Sequence, residues 1–316
     1  MEAFKEGLYP ATVTPFDGTG ALDSRALVRL MERNLAEGAA GFLIGGSSGE
    51  CFLLSHAERV AAFTVAAAFR DRTRLIAHVG ALSTQEACDL AREAAGLGYS
   101  RIAATPPFYY KHPPVAIRRY YEQIANAAGM PVIIYNFPSN THVDIDLHDP
   151  EYVALLRSGA ICGVKHTNQV VFQAERFMAQ YPDLEMYNGY DETLICGFAY
   201  GVRAAIGSTF NCMLEPYEEL RRAFFSGDID KARNLQHRCN DAMEAMCRVG
   251  LFPAIKYILS RQGYSCGNPR EPFLPLSEAA RSAIDAECAW LWSLASNFSD
   301  HAHGAVVPVD GEWIAR

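Results

Sequence analysis

The chain has 316 residues, of which half are hydrophobic and one fifth charged, and its formal net charge is −8. This composition is ordinary for a globular protein with a large core, and the lack of a Lys/Arg cluster argues against nucleic acid as a partner. No basic region followed by an apolar run opens the chain, and no run of roughly 18 apolar residues occurs, so we predict neither a signal peptide nor a membrane span. The nine cysteines include no CxxC pair, which favours buried, reduced thiols in a cytoplasmic protein.

Eight short apolar runs alternate with amphipathic stretches. The runs lack strict alternation, as parallel strands covered on both faces do, and predict strands at 8–16, 41–46, 74–80, 101–107, 131–137, 160–166, 184–189 and 203–208. The intervening patterns predict helices at 24–37, 55–69, 84–97, 114–128, 149–157, 170–180, 192–199 and 215–225. Ser55 and Glu58 form the pattern of a capping box at the start of the second helix. Eight consecutive strand–helix units predict a closed (β/α)8 TIM barrel in preference to an open sheet.

Three more amphipathic stretches follow the eighth unit, at 228–248, 253–262 and 277–294. We therefore predict that residues 1–226 form the barrel and that residues 227–296 form a C-terminal helical cap of the same domain. Residues 297–316 are expected to form a loop-like, peripheral tail.

Polar side chains follow most of the predicted strands, and barrel enzymes carry their chemistry at these carboxyl ends. Lys165 ends an apolar strand, where burial favours a neutral amine that can attack a ketone and form a Schiff base. Tyr135 lies near the end of another apolar strand and could relay a proton to a substrate oxygen. The alternatives are a lysine that reaches solvent and a core tyrosine whose hydroxyl is already hydrogen-bonded.

The segment GGSSGE at 45–50 contains the Gly-x-Ser-x-Gly pattern of a serine-hydrolase nucleophile elbow. In such an elbow the helix begins directly after the nucleophile, whereas here several residues intervene before the next helix. We interpret Ser47 and Ser48 instead as an anion cradle, in which hydroxyls and glycine-exposed N–H groups hold a carboxylate. Ser47 could also pass a proton to Tyr135.

Two adjacent carboxylates, Asp191 and Glu192, lie where a strand ends and a helix begins. Acidic residues at this position either complement the helix dipole or recognise the hydroxyl groups of a sugar. No further acidic residue occupies a matching position, so we do not predict a metal site.

At these residues the chain resembles the dihydrodipicolinate synthase/N-acetylneuraminate lyase family, the pyruvate-dependent class I aldolases. The matching segments are GGSSGE (45–50), IAHVG (76–80), TPPFYY (105–110), YNFP (135–138), GVKHT (163–167), NGYDE (188–192), GSTFN (207–211) and GLFPAIKYIL (250–259). The resemblance implies a small-molecule 2-keto acid substrate, pyruvate as a product, no cofactor or metal, and a homotetramer.

The resemblance also implies roles for particular residues. Lys165 matches the Schiff-base lysine, Tyr135 the proton relay, and Ser47 and Ser48 the pyruvate carboxylate site, where the family usually has at least one threonine. One of Tyr109 and Tyr110, of which we favour Tyr109, matches an aromatic residue that crosses a subunit contact to support the relay. The substrate-chain residues implied by the lyase branch are Thr167, Gly189, Tyr190, Asp191, Glu192, Gly207, Ser208 and Phe252.

The identity of the substrate rests on fewer residues. Asn140 stands where the synthase branch has an arginine, which argues against dihydrodipicolinate synthesis. The lyase branch is the nearer match, so N-acetylneuraminate is the lead substrate for cleavage to pyruvate and an aldehyde. Acids of the 2-keto-3-deoxygluconate type are the alternative, since the YNFP segment and the acidic pair fit them too. A serine hydrolase or a non-catalytic binding barrel would account less well for Lys165 together with Tyr135.

Overall fold

A computed structural model describes residues 4–295, 307–309 and 312–314. Within these residues, eight parallel strands form one sheet: β1 (Gly7–Pro10), β2 (Gly41–Ile44), β3 (Arg74–His78), β4 (Arg101–Ala104), β5 (Val132–Asn136), β6 (Ile161–His166), β7 (Glu185–Asn188) and β8 (Ala204–Gly207). From β2 to β8 each strand pairs with its neighbour in the chain, and β1 pairs with β8. Between β1 and β2 a single bridge joins Ala11 to Leu43, which nearly closes the barrel. The predicted TIM barrel is confirmed.

Helices cover the outside of the barrel and follow the strands in turn. They are α1 (Ser24–Ala36), α2 (His56–Ala67), α3 (Thr84–Gly96), α4 (Pro114–Ala128), α5 (Pro138–Thr141), α6 (Pro150–Arg157), α7 (Val171–Gln180), α8 (Leu194–Ala199) and α9 (Phe210–Phe225). The capping box is present at α2, where the Ser55 side chain accepts from the Glu58 N–H and the Glu58 side chain accepts from the Ser55 N–H. The C-terminal helices are α10 (Ile229–Val249), α11 (Leu251–Arg261), α12 (Glu278–Glu287) and α13 (Trp292–Ala295).

The barrel interior is filled by side chains, and one end is closed by ion pairs. Its centre is lined by buried residues that include Tyr9, Leu43, Ile76, Ile133, Tyr187 and Ile206. At the amino ends of the strands, the buried guanidinium groups of Arg74 and Arg101 lie 3.2 and 2.8 Å from Glu185 Oε1. A ligand therefore has access to the interior from the carboxyl ends, where barrel enzymes place their sites.

Two predicted elements of the barrel have bounds that differ by five or more residues in the structure, and the short helix α5 was not predicted. Strand β1 ends at Pro10 rather than residue 16, since the chain then turns to contact the loops above β2 and β8. Helix α9 begins at Phe210 rather than residue 215, and its non-helical residue Met213 (φ −146°) kinks it before Pro216. The kink and the proline interrupt the amphipathic pattern, so only the part after the kink was evident from the sequence.

The three C-terminal stretches are helical as predicted. Most of the expected peripheral tail, residues 297–316, lies outside the described residues. Its described parts are two short strands, β9 (Val307–Val309) and β10 (Glu312–Ile314), which pair antiparallel. Among the helices that the structure describes, none is long and apolar enough to span a membrane.

Candidate active site

Lys165 and Tyr135 lie opposite each other on neighbouring strands at the open end of the barrel. The register of β5 and β6 pairs Tyr135 directly with Lys165, so both side chains point into the barrel. Both residues are buried, and Lys165 Nζ lies 3.8 Å from the centre of the Tyr135 ring. No carboxylate in residues 4–295 forms an ion pair with Lys165, and its Nζ lies over the face of the Tyr135 ring. A buried amine that is not held by a salt bridge is available as a nucleophile.

The Tyr135 ring is held by two other rings. Phe137 stacks on it with a centroid distance of 5.8 Å and an interplanar angle of 6°, and His78 contacts it edge-on at 5.8 Å. No described residue hydrogen-bonds to the Tyr135 hydroxyl. The phenol is therefore fixed in direction and open to exchange a proton with a ligand.

His78, at the end of β3, is a neutral support for this tyrosine. Its Nδ1 lies 3.0 Å from the Gly45 carbonyl oxygen, and the Thr105 N–H donates to its Nε2 at 3.3 Å. These partners require a proton on Nδ1 and none on Nε2. Burial lowers the pKa of His78 well below 6.5, and the Arg59 guanidinium lowers it further. In the sequence, His78 stood out only as part of the segment IAHVG (76–80).

The predicted anion cradle is a single tight turn, Ser47–Gly49, directly after β2. Ser48 is buried, and its hydroxyl shares a 2.7 Å hydrogen bond with the Ser208 hydroxyl from the end of β8. Thr14 holds the turn from the β1 side by donating to the Gly49 carbonyl at 2.7 Å. Gly45 begins the turn with φ +67°, a left-handed conformation that suits glycine. The structure thus brings Ser47, Ser48 and Ser208 together at the barrel mouth.

A buried ion pair anchors this turn to the C-terminal helices. Glu50 Oε1 lies 2.6 Å from Lys256 Nζ on α11, and both side chains are at most 1% exposed. Glu50 Oε2 accepts from the Arg270 N–H at 2.7 Å. Burial lowers the pKa of Lys256, and the Glu50 carboxylate opposes that change. A lysine within the apolar segment GLFPAIKYIL was the only sequence signal for this contact.

Asp191 serves largely as a local hydrogen-bond acceptor. Its Oδ2 accepts from the Thr209 N–H at 2.8 Å and from the Thr209 hydroxyl at 2.7 Å, just before α9. Burial raises the pKa of Asp191, and the Thr209 hydrogen bonds oppose that rise. Gly207 makes the approach possible, since a Cβ atom there would lie 2.1 Å from Asp191 Oδ1. Asp191 therefore binds the residue that precedes α9, and no described side chain caps the start of α8, the helix for which the sequence suggested a capping role.

Thr167 and Glu192 present polar atoms that lack partners. Thr167 Oγ1 and Glu192 Oε2 are buried without a hydrogen bond among the described residues. A Cβ atom at Gly189 would lie 2.0 Å from Thr167 Oγ1, so only glycine fits beside that hydroxyl. Burial raises the pKa of Glu192, and nearby Asp191 adds to the effect. Buried polar groups are normally hydrogen-bonded, so these atoms are suited to a ligand that carries hydroxyl groups.

Tyr109 does not join the site within one chain. It is 82% exposed, has φ +78°, and contacts the exposed Tyr110 edge-on at 4.9 Å. A positive φ is unfavourable for an aromatic residue and is typical of functional positions. Tyr190, by contrast, lies at the site, with its ring 6.2 Å from that of Phe137.

A cavity of about 270 Å³ adjoins the cradle. Five of its lining residues are phenylalanines (Phe52, Phe108, Phe137, Phe252 and Phe273), and we call it the aromatic cavity. Ser47 and Thr105 line it where it meets the barrel mouth, and Asn140 and Thr141 line it from α5. Phe252 was predicted from the sequence, whereas the other four rings were not.

Taken together, the fold and the site define a barrel enzyme with a buried lysine beside a tyrosine and a serine-containing turn at the mouth of the barrel. The chain belongs to the dihydrodipicolinate synthetase family, whose model matches residues 4–289.

Named relatives support a finer grouping. The chain is 39% identical over 290 residues to an N-acetylneuraminate lyase of Rhizobium meliloti, covering 90% of this chain and 96% of the relative. It is 35% identical over 275 residues to an N-acetylneuraminate lyase of Citrobacter koseri, covering 86% and 92%. A solved structure of a catalytic lysine mutant of Ruminococcus gnavus sialic acid aldolase superposes with a TM-score of 0.87 at 29% identity, covering 93% of this chain and 97% of that one.

Proposed function

We propose that this chain is a Schiff-base-forming class I aldolase that cleaves N-acetylneuraminate to pyruvate and N-acetylmannosamine. The observation that carries the proposal is the buried Lys165 amine, free of any ion pair in residues 4–295, directly across from Tyr135. The relatives named as N-acetylneuraminate lyases support the choice of substrate.

The first step is formation of the imine. The Lys165 amine adds to the 2-keto carbon, and loss of water leaves a protonated iminium. The carboxylate beside that carbon binds at the Ser47–Ser48 turn, where the hydroxyls and backbone N–H groups offer hydrogen bonds to an anion. Anchoring both groups fixes the C3–C4 bond relative to Tyr135.

The second step is cleavage. As C4 becomes the aldehyde carbon, Tyr135 accepts the proton of the C4 hydroxyl and passes its own phenolic proton through the Ser47 hydroxyl to the substrate carboxylate. The electrons of the C3–C4 bond move into the iminium to give an enamine, and the same relay returns the proton for C3. Protonation at C3 then gives the pyruvate imine, and water releases pyruvate and regenerates the Lys165 amine. Neutral His78 and stacked Phe137 keep the Tyr135 ring in place. In this proposal Ser47 and Tyr109 support proton transfer to and from Tyr135.

The polar atoms at the ends of β6 and β7, which we call the polar wall, bind the hydroxylated chain. Thr167 and Glu192 supply the unpartnered polar atoms, and Gly189 leaves room beside them. Asp191, Gly207 and Ser208 shape this wall from β7 and β8, with one Asp191 oxygen engaged by Thr209.

We also propose that the protein is a cytoplasmic homotetramer. All nine cysteines lie in the described part of the chain and are free of disulfides, which suits a reducing compartment. Exposed apolar side chains after β3 and β4, among them Leu82 (53% exposed), Tyr109 and Tyr110, suit a contact between subunits.

Reduction with borohydride tests the mechanism. With pyruvate present, we expect a covalent adduct on Lys165, detected by intact mass and peptide mapping, and no adduct in Lys165→Met. An unmodified wild-type protein would contradict the imine mechanism.

A comparison of substrates tests the assignment of N-acetylneuraminate. Pyruvate release is measured from N-acetylneuraminate and from shorter 2-keto-3-deoxy sugar acids, and preferred cleavage of the shorter acids would contradict the assignment.

A further inference from the structure

The aromatic cavity lies on the side of the site away from the polar wall. Its rings form edge-on pairs, Phe52 with Phe108 at 4.8 Å and Phe252 with Phe273 at 5.5 Å. The polar groups on this side have partners or are uncharged. Glu50 is paired with Lys256, the Thr141 hydroxyl donates to the Phe137 carbonyl at 3.0 Å, and burial raises the pKa of the Cys51 thiol to about 11. The cavity is therefore suited to an uncharged, apolar group.

The aromatic cavity is separated from Tyr135 by a single side chain, the Phe137 ring. Phe137 lines it and also stacks on Tyr135, and Ser47 lines it from the carboxylate cradle. In N-acetylneuraminate the acylamino group is on C5, the carbon next to the C4 hydroxyl that Tyr135 deprotonates. A hydroxylated chain placed at Thr167 and Glu192 leaves the cavity beside Phe137 as space open to this substituent.

We propose that the aromatic cavity binds the acyl group on the C5 nitrogen of the substrate and favours acyl chains longer than acetyl. The inference deepens the proposed function and rests on it. A water molecule occupies about 30 Å³ of the liquid. The cavity, at about 270 Å³, therefore has room for several non-hydrogen atoms, whereas an acetyl group places only one methyl there.

Transfer of each further methylene from water into this cavity should strengthen binding about threefold to fourfold. The acyl chain makes the same contacts in the bound substrate and in the transition state, since it takes no part in bond breaking. KM should therefore fall along the series while kcat stays constant.

The experiment measures pyruvate release from neuraminic acids that carry N-acetyl, N-propanoyl, N-butanoyl or N-pentanoyl groups. We expect KM to fall about threefold for each methylene; a flat or rising KM overturns the inference. A parallel arm measures binding of the matching N-acylmannosamines by calorimetry, which requires no turnover. If no neuraminic acid is cleaved, the proposed function fails, and the calorimetric trend alone decides the inference.

Two variants locate the effect. Leu53→Trp fills the cavity, and Phe273→Ala removes one of its rings, so each should reduce the dependence on acyl length to less than about 1.5-fold per methylene. Phe172→Ala, on α7 and 66% exposed, is the matched control and should keep the wild-type trend. If KM still falls about threefold per methylene in both cavity variants, the acyl group binds elsewhere. The same conclusion would follow if a side chain of a second copy of the chain filled the aromatic cavity.

Discussion

The Tyr135 hydroxyl can be tested separately from its ring. Tyr135→Phe keeps the surface that stacks on Phe137 and removes only the oxygen. We expect kcat for cleavage to fall by about 10²–10⁴. Trapping of the pyruvate imine on Lys165 should persist, because the amine is unchanged. Steady-state kinetics and borohydride trapping measure the two effects. The control is Tyr200→Phe, a partly exposed tyrosine at the end of α8. A variant that retains full turnover would remove Tyr135 from proton transfer.

His78 should make the folded state sensitive to mild acid. Burial holds its pKa well below 6.5, so the unfolded chain takes up a proton near pH 6.5 that the folded chain does not. The contribution of His78 to the free energy of unfolding is therefore fully present above pH 6.5. It is lost as the pH falls below 6.5, by at most about 1.4 kcal/mol per pH unit.

Replacing His78 should change how steeply the unfolding free energy depends on pH. His78→Asn keeps a donor toward the Gly45 carbonyl and removes the titration, so its unfolding free energy should fall less steeply than that of the wild type between pH 6.5 and 5. Urea unfolding at several pH values measures the slopes. Buried carboxyl groups such as Asp191 titrate in both proteins, so their contributions cancel when the two slopes are compared. Exposed His148→Asn is the control, and identical slopes for all three proteins would contradict a neutral, buried His78.

Residues at strand ends were the part of the site that the sequence could predict. Lys165 and Tyr135 each follow an apolar run, so their positions at the barrel mouth follow from the strand alone. The support from His78 could not be predicted, because it depends on Gly45 and Thr105 from neighbouring strands. Such contacts are set by tertiary packing, which the local pattern does not contain.

At the scale of elements, the pair Glu50–Lys256 joins the turn Ser47–Gly49 to α11. Lys256→Met leaves the Glu50 carboxylate buried without its cation and should lower the unfolding free energy by about 3–5 kcal/mol. Adding Glu50→Gln removes that charge and should restore part of the loss. Urea unfolding of the two single variants and the double variant gives the coupling energy. Losses that simply add would show that the pair does not act as a unit.

The helices show where an amphipathic pattern is informative. The capping box at α2 and all fifteen residues of α4 were predicted, because both have clear boundary residues and a continuous apolar face. The short helix α5 was missed, since four residues are too few to show a period. Helix α5 is relevant to the proposed acyl-binding site because its residues Asn140 and Thr141 line the aromatic cavity.

At the scale of the whole molecule, the alternation of strands and helices was sufficient to predict the barrel. Eight apolar runs that each precede a helical pattern can be covered on both faces only in a parallel sheet, and eight strands suit closure. The aromatic cavity was not predictable in the same way. Phe52, Phe108, Phe137 and Phe273 are far apart in the chain, and only the closed barrel with its C-terminal helices brings them together.

The role of Tyr109 depends on assembly, so the last prediction concerns mixed subunits. In one chain Tyr109 is 82% exposed, whereas Lys165 and Tyr135 pair within the same chain. If Tyr109 reaches a neighbouring site, inactive Lys165→Met and Tyr109→Phe subunits should complement each other. A hybrid pair has one site with both groups intact, so random equal mixing should restore about a quarter of wild-type activity.

Pyruvate release after dissociation and reassociation of the mixture measures this recovery. Mixing Lys165→Met with Tyr135→Phe is the matched control, because every site then lacks one of two groups that the same chain must supply. We expect no recovery in that control. If the Tyr109→Phe mixture also fails to recover, Tyr109 acts within its own chain or has no part in the reaction. Near-normal activity of Tyr109→Phe alone would exclude it from proton transfer, and its exposure would then reflect only a contact surface.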